Sequence, residues 1–527
     1  MKSLHIYRDE PGSGWRAARW VHRFLAHGGR VWWVMEDFAA HKEGSYIAEY
    51  NPEFPAPADV PAEEVFLSHA EIDKHCRELA YPNVCLYYGP ASSYLMHACY
   101  AYVLDLFGIS YTPVAEWDLA GDALNNASLL IVPGGFAVHG FEKYENSIGA
   151  GARVLEFLSR GGGYVGSCGG MFYLCRGQSD WLGVFDGNPL FGHEWWVTGT
   201  GLVNLALDRA TPITLGCPPT MEVQYYHGPV LPKVGPQTST VATFDQYSLP
   251  TVNYFNNPLQ QATFDSYMKG GVAAVLAHYG RGGAVGFSPH PEIGELFRKY
   301  SGYRYHGRNR LNDDTAYFTH LGRYKYRESA SFRLVLNAIH YLSTLSRPAA
   351  QEVKPITAGD ISAGLDGVQT YLTECNKWRT ALDSLGESSV RARSLIRKVA
   401  IDEVQRAIDA GEGLKSRLGQ VQIALARDGF EQMDQTSADL ARSVRWVKEL
   451  TRHSDGVLWI MRQLENGKFC VPSWEHLNST YTSQAPDGDE AALMLFAHVA
   501  ATAELTGGNI GSTSDRIEDL LAEQAQK

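Results

Sequence analysis

Residues 160–175 read RGGGYVGSCGGMFYLC, and the fold of the first half of the chain turns on this stretch. Three glycines close a helical pattern over Gly151 to Arg160, Tyr164 to Ser167 is a short β-rich run, and a helical run follows Gly170. Cys168 therefore stands on a tight turn from strand to helix, in the G-x-nucleophile-x-G arrangement of a nucleophile elbow. Such a turn strains the backbone of its central residue, and Cβ atoms two positions to either side would collide, which Gly166 and Gly170 avoid. The helix after the turn aims free N–H groups at the sulfur and favours a thiolate. Alone, the same pattern also fits a small buried cysteine in a glycine-rich turn.

Two further segments carry the same kind of signal. Leu129 to Val132 is an apolar run suited to a buried parallel strand, and it ends in Pro133-Gly134-Gly135. Ala284 to Ser288 is a strand that leads into His290-Pro291-Glu292. Pro291 disfavours helical backbone at His290, and in extended chain His290 and Glu292 project on one side. Glu292 can then fix the tautomer of His290, whose other ring nitrogen exchanges protons with the Cys168 thiol. The tripeptide equally fits a turn opening a helix at Ile293, with Glu292 in its first turn. The N–H groups of Gly169 and of Gly135 are the candidate oxyanion donors. In open α/β sheets ligands bind at the carboxyl ends of strands, where all three segments fall.

Outward from these motifs, strands are expected at Leu4 to Tyr7, Val31 to Met35, Val84 to Tyr88, near Tyr111, and at Leu202 to Ala206, Glu222 to Tyr226, Thr240 to Phe244 and Val272 to His278. Amphipathic helices fit Trp15 to His27 and Ser93 to Phe107. Residues 40–80, with the Pro-rich NPEFPAPADVPAEE at 51–64, read as an irregular connection before a short helix around Ile72 to Leu79. The class is α/β, with a sheet of roughly eight strands. From about Ile356 the pattern turns helical, at Ile361 to Leu385, Ser389 to Ala410, Ser437 to Leu464 and Glu490 to Leu505, with Trp378, Trp446 and Trp459 as core. This predicts a βαβ extension over 1–82 packed on an α/β domain over 83–345, a linker over 346–355, and an all-α bundle over 356–527.

A chain of 527 residues exceeds what one core normally organises. Its 45% hydrophobic and 20% charged residues suit a globular fold, and its net charge of -12 argues against a dedicated binder of nucleic acid or anionic membrane. The opening MKSLHIYRDEPGSGW lacks an apolar run, and no stretch approaches the roughly eighteen apolar residues that span a bilayer, so a cytoplasmic location is expected. Eight scattered cysteines without a C-x-x-C pair suit reduced thiols and indicate no metal site. No P-loop or other nucleotide motif is present, and no cofactor is expected.

The Pro-Gly-Gly loop, the G-x-C-x-G elbow and the terminal GFSPHPE strand, in this order over roughly residues 83 to 300, resemble the class I glutamine amidotransferase superfamily. NVCLYYGPASS, LLIVPGGFA, RGGGYVGSCGGMFY and VGFSPHPE are most similar to the amidotransferase-like domain at the N-terminus of eukaryotic biotin-protein ligases. The resemblance implies a flavodoxin-like, mostly parallel sheet with helices on both faces, and it places catalytic roles on Cys168, His290 and Glu292. It also sets MEVQYYHGP at 221–229 beside the cysteine, making Tyr226 and His227, with Gly134 and Phe172, candidate pocket residues. Phe172 stands where glutaminases of this superfamily carry glutamine, so the resemblance supplies a chemistry without naming glutamine as substrate. Nothing downstream resembles a biotin ligase, and biotin transfer is not expected.

Two other features bear on partners. Between Glu295 and Arg333, nine arginines and lysines interleave with six tyrosines; they could hold an anion, or pack tyrosines while the cations reach solvent, which is the simpler reading. His193-Glu194-Trp195-Trp196 lacks the second histidine of a zinc-protease helix and reads as an aromatic loop. The sequence thus points to a cysteine-dependent hydrolase or amidotransferase acting on a small carboxamide, with a separate synthetase or a second copy of the chain as candidate partners of the helical domain. The alternative is a ligand-binding or scaffold protein that retains the fold without chemistry.

Overall fold

Lys2–Ile6 (β1) and Val31–Val34 (β2) each pair with Tyr46–Glu49 (β3), flanked by Ala62–Phe66 (β4) and Cys76–Glu78 (β5), as an antiparallel sheet in the order β4-β1-β3-β2-β5. The computed structural model describes residues 2–7, 14–89, 94–135, 150–179, 181–191, 198–251, 258–296, 298–299, 326–345, 357–384, 391–428 and 488–526. Helix α1 (Trp15–Ala26) links β1 to β2, and each of these strands pairs antiparallel with β3, so the expected βαβ unit has a third strand inserted in it. Two strands, β3 and β4, thus occupy residues read as irregular, and β5 occupies the end of the stretch read as a short helix. β4 escapes notice because it is an edge strand, AEEVF, with mostly exposed side chains and no apolar run. The helix expected over Ile72 to Leu79 is instead His69–His75 (α2), started by a capping box. Glu71 N donates to Ser68 Oγ at 3.2 Å and Ser68 N donates to Glu71 Oε2 at 2.8 Å, an S-x-x-E signal legible in the sequence.

The main sheet has nine strands. Val84–Tyr87 (β6), Tyr111–Val114 (β7), Leu129–Val132 (β8), Gly163–Ser167 (β9) and Gly282–Phe287 (β14) run parallel in the order β14-β9-β8-β6-β7. Val272–Tyr279 (β13), Thr238–Pro250 (β12), Thr200–Leu207 (β10) and Thr220–Tyr226 (β11) extend it antiparallel beyond β14. The α/β class is as expected, and the parallel strands carry the three motif segments. Side chains alternate across β9. Tyr164 packs into an apolar cluster with Leu119, Phe157, Met171 and Leu174, from helices α4 (Glu116–Ala120), α5 (Ala150–Ser159) and α6 (Gly169–Leu174). A Cβ on Gly163 would instead meet Leu342 at 2.7 Å, on helix α7 (Phe332–Ser343), while Ser167 meets Tyr100 on α3 (Tyr94–Leu106). Helices therefore cover both faces.

The first sheet is tied to α7 through buried polar groups. Arg333 donates to the Gly44 carbonyl, and on α1 the Trp15 ring centroid lies 4.9 Å from half-buried Arg327, in the turn before α7. His22 Nδ1 donates to Phe107 O at 2.8 Å, and its Nε2 lies 3.2 Å from His340 Nε2. One imidazole must donate and the other accept, so this pair packs as two neutral rings. Burial holds His22 down to about 4, and burial, helped by His22 and Arg333, holds His340 well below its usual range. Depressed histidines leave stability intact above the unfolded value of about 6.5 and withdraw it as pH falls toward 4. In denaturant titrations between pH 7 and 4.5, His340→Gln is expected to flatten the acid dependence by up to about 1.4 kcal/mol per pH unit.

The chain divides into two compact units. The first comprises Met1–Pro250, Pro258–Gly294 and Tyr326–Gln351, so both sheets belong to it; the second comprises Thr251–Asn257, Glu295–Lys325 and Glu352–Lys527. In the second, helix α8 (Ala358–Ser384) keeps close to its sequence-based limits, while α9 (Arg391–Asp428) and α10 (Gly488–Gln526) run well past theirs at the C-terminal end. α10 continues through Gly507 and Gly508, and Gly507 serves packing: a Cβ there would lie 3.0 Å from Ala407 Cα on α9. Lys299 joins this unit by ion pairs to Glu504 at 2.8 Å and Glu403 at 3.2 Å, with Lys299 and Glu403 nearly buried. Among the described cations of the basic, Tyr-rich stretch, Arg298, Lys299, Arg327 and Arg333 all have partners. Residues 300–325, the loop at 193–196, the linker, Cys470 and the helix expected over Ser437 to Leu464, with Trp446 and Trp459, lie outside the described residues. No described helix is long and apolar enough to cross a membrane, and no described cysteine forms a disulfide.

Candidate active site

Strand β9 ends at Ser167, and the next residue, Cys168, has φ 50° and ψ −109°, a left-handed backbone rare for a side-chain-bearing residue. Its N–H donates to Phe287 O at 2.8 Å at the end of β14, and its carbonyl accepts from Met171 N at 3.0 Å and Phe172 N at 2.9 Å, which starts α6. The glycines have the steric role read from the sequence. A Cβ on Gly166 would lie 2.6 Å from the backbone of Gly170, and one on Gly170 would overlap the Val132 carbonyl. Cys168 thus sits at the N-terminus of a short helix with its strain held from both sides.

His290 and Glu292 approach it from β14. The His290 N–H donates to Gln224 O at 2.8 Å, which ties this segment to β11. His290 Nδ1 donates to Glu292 Oε1 at 2.7 Å, and neither residue has any exposed surface. The contact expected from extended chain is made differently. Pro291–Ile293 is a 3-10 turn, and Glu292 turns back on His290 from within it. Burial opposes a charge on the ring, but the Glu292 carboxylate and the neighbouring Cys168 outweigh it and raise His290 to about 10. Among the described residues His290 Nε2 makes no hydrogen bond. The Cys168 Sγ instead donates to Tyr226 O at 3.2 Å and is 7% exposed.

The Pro133-Gly134-Gly135 loop closes over these groups. A Cβ on Gly134 would overlap the His290 ring and lie 3.2 Å from Cys168 Cβ, so only glycine lets the backbone pass between them. Gly135 has φ 120°, and its carbonyl packs against Gly169. Tyr226 and His227 lie beside Cys168: His227 is left-handed at φ 56°, and this turn presents the Tyr226 carbonyl to the thiol. The Tyr226 ring stands edge-on to His290 with centroids 6.1 Å apart. Phe172 goes elsewhere, packing on Trp181 at 5.5 Å in the core beneath the elbow.

Hydroxyl groups that motif reading passed over join the site. Ser167 Oγ donates to Glu292 Oε2 at 3.1 Å and also touches the Tyr100 hydroxyl. The signal available was a serine in an otherwise apolar buried strand; Tyr100, sixty-seven residues away, had none. Tyr326 Oη donates to Glu292 O at 3.0 Å. Among the described residues no cluster suited to a metal ion occurs.

Solved structures similar to this chain include a glutamine amidotransferase from Thermotoga maritima, at 14% identity and a TM-score of 0.31, covering 50% of this chain and 99% of that one. A Thermoplasma acidophilum protein assigned to GMP synthase matches at 12% identity and a TM-score of 0.28, over 50% and 94% of the two chains. A further glutamine amidotransferase matches at 17% identity and a TM-score of 0.27, over 40% and 90%. No protein-family model and no curated protein matches the sequence.

Proposed function

We propose that the chain is a cysteine-dependent hydrolase or amidotransferase that cleaves a carboxamide C–N bond through an acyl-cysteine intermediate. The observation that supports this most is the strained Cys168 on its elbow beside a buried His290 held through Nδ1 by Glu292. In this reading His290 Nε2 holds the proton of the thiol as an imidazolium, and the Cys168 thiolate Sγ bonds to the carbonyl carbon. The oxyanion is received by the N–H groups of Gly169 and Gly135. The C–N bond breaks as His290 returns the proton to the leaving nitrogen, and water then opens the thioester with His290 as base. Tyr226, His227 and Gly134 border the acyl group, and Phe172 acts from behind the elbow. The type is that of class I glutamine amidotransferases, in the form fused to biotin-protein ligases, working in the cytoplasm without cofactor on a small amide. The helical unit would dock a separate synthetase or a second copy of the chain.

Mass spectrometry after exposure to a glutamine-like chloroketone and a panel of amide-mimic electrophiles tests this. One adduct per chain on Cys168, absent in Cys168→Ala, is the expected result; modification elsewhere, or none, would sink the assignment. The low exposure of Cys168 and its bond to Tyr226 O favour a second reading, a ligand-binding or scaffold protein without chemistry, and the unlabelled outcome would select it.

A further inference from the structure

We propose, building on the function inferred above, that Ser167 and Tyr100 are positioning residues of this site, a chain of two hydroxyls that holds one carboxylate oxygen of Glu292 so that the other stays on His290. A serine hydroxyl has one proton to give. Ser167 Oγ gives it to Glu292 Oε2 at 3.1 Å, so the Tyr100 hydroxyl in contact with the same Oγ is the donor of that pair. The chain therefore runs one way, from Tyr100 to Ser167 to Glu292, and ends on the carboxylate that accepts from His290 Nδ1 at 2.7 Å.

Three features make this more than local packing. All four side chains are fully buried, so no solvent substitutes for a missing donor. Burial, with the Glu292 charge behind it, pushes the Tyr100 phenol well above its usual range, which keeps it a donor. Ser167 is also the residue next to Cys168 on β9, so the carboxylate is referenced to the strand that carries the nucleophile. Tyr326 steadies the Glu292 backbone, His290 holds Oε1, and among the described residues it is the hydroxyl chain that holds Oε2.

Without Ser167 Oγ, Glu292 Oε2 has no donor, and the carboxylate turns toward Tyr100 and away from His290 Nδ1. Without Tyr100 Oη, Ser167 loses the contact that orients its hydroxyl. In either variant burial then dominates at His290, and its titration moves down.

The experiment follows the histidines of the full chain by NMR with labelled imidazole, assigning His290 by His290→Gln, in wild type, Ser167→Ala, Tyr100→Phe and the double variant. Each single substitution removes one oxygen, and either one alone suffices if the other fails to fold. The expected result is a His290 midpoint lowered by about one pH unit or more in each single variant, with the double no lower than the larger single. A merely structural hydroxyl would alter stability and leave this midpoint in place. An unchanged or raised midpoint in a folded variant overturns the chain, whatever the labelling shows. A lowered midpoint in a protein whose Cys168 takes no chloroketone overturns the catalytic reading and leaves the hydroxyl chain standing.

Discussion

Replacing His290 with alanine is expected to slow chloroketone labelling of Cys168 at neutral pH by about 10²- to 10⁴-fold, the range general acid–base catalysis supplies. Among the described residues the ring is the titratable group beside the thiol, placed to hold its proton as an imidazolium next to the thiolate, and its Nε2 has no competing hydrogen bond there. The effect must also depend on pH in a defined sense. Because Glu292 and Cys168 raise His290 to about 10 against the pull of burial, the ring is charged in the folded protein across the neutral range. Its contribution to folding is complete below the unfolded value of about 6.5 and is lost as pH climbs through about 10. Glu292→Gln should flatten that alkaline loss in denaturant titrations and reproduce part of the labelling defect. Labelling at the wild-type rate in His290→Ala would remove the imidazole from any role.

Gly170→Ala is expected to destabilise the first unit by about 3 kcal/mol, the upper end for overpacking. The added methyl would overlap the Val132 carbonyl oxygen and lie 2.9 Å from its carbon. Val132 is the last residue of a buried strand paired with Gly166, so neither side can rotate away. Gly419→Ala is the matched control. It lies inside α9 with no atom within 4 Å of an added Cβ, so the exchange should stabilise by roughly 0.5–1 kcal/mol through helix propensity. Denaturation midpoints of the two variants, read with one probe, check both signs. An unaffected Gly170→Ala would mean that the elbow is looser than its φ angles imply.

Much of the candidate site was legible in sequence because its constraints are local. A residue forced to φ 50° needs glycines two positions away, and a loop passing between two side chains needs a glycine there, so Gly166, Gly170 and Gly134 mark the elbow and its cover before any contact is known. Hydrophobic runs such as Leu129–Val132 likewise announce a strand buried on both faces. The failures share one cause. β4 looks polar because it is an edge strand, and α10 runs beyond Leu505 through Gly507, whose purpose, close approach to Ala407, lies on another helix.

The sequence by itself determined the elbow, the strand ends that carry His290 and Glu292, and the α/β class, since each follows from backbone sterics and side-chain period within a few residues. Only the tertiary structure decided that Glu292 reaches His290 through a 3-10 turn, that the Cys168 thiol rests on the Tyr226 carbonyl, that Phe172 fills the core, and that Tyr100 and Ser167 complete the carboxylate's hydrogen bonds. Those contacts join residues far apart in the chain, or depend on the rotation of a buried polar group. Both are settled by which donors the packed interior brings within reach, a quantity that no local pattern encodes.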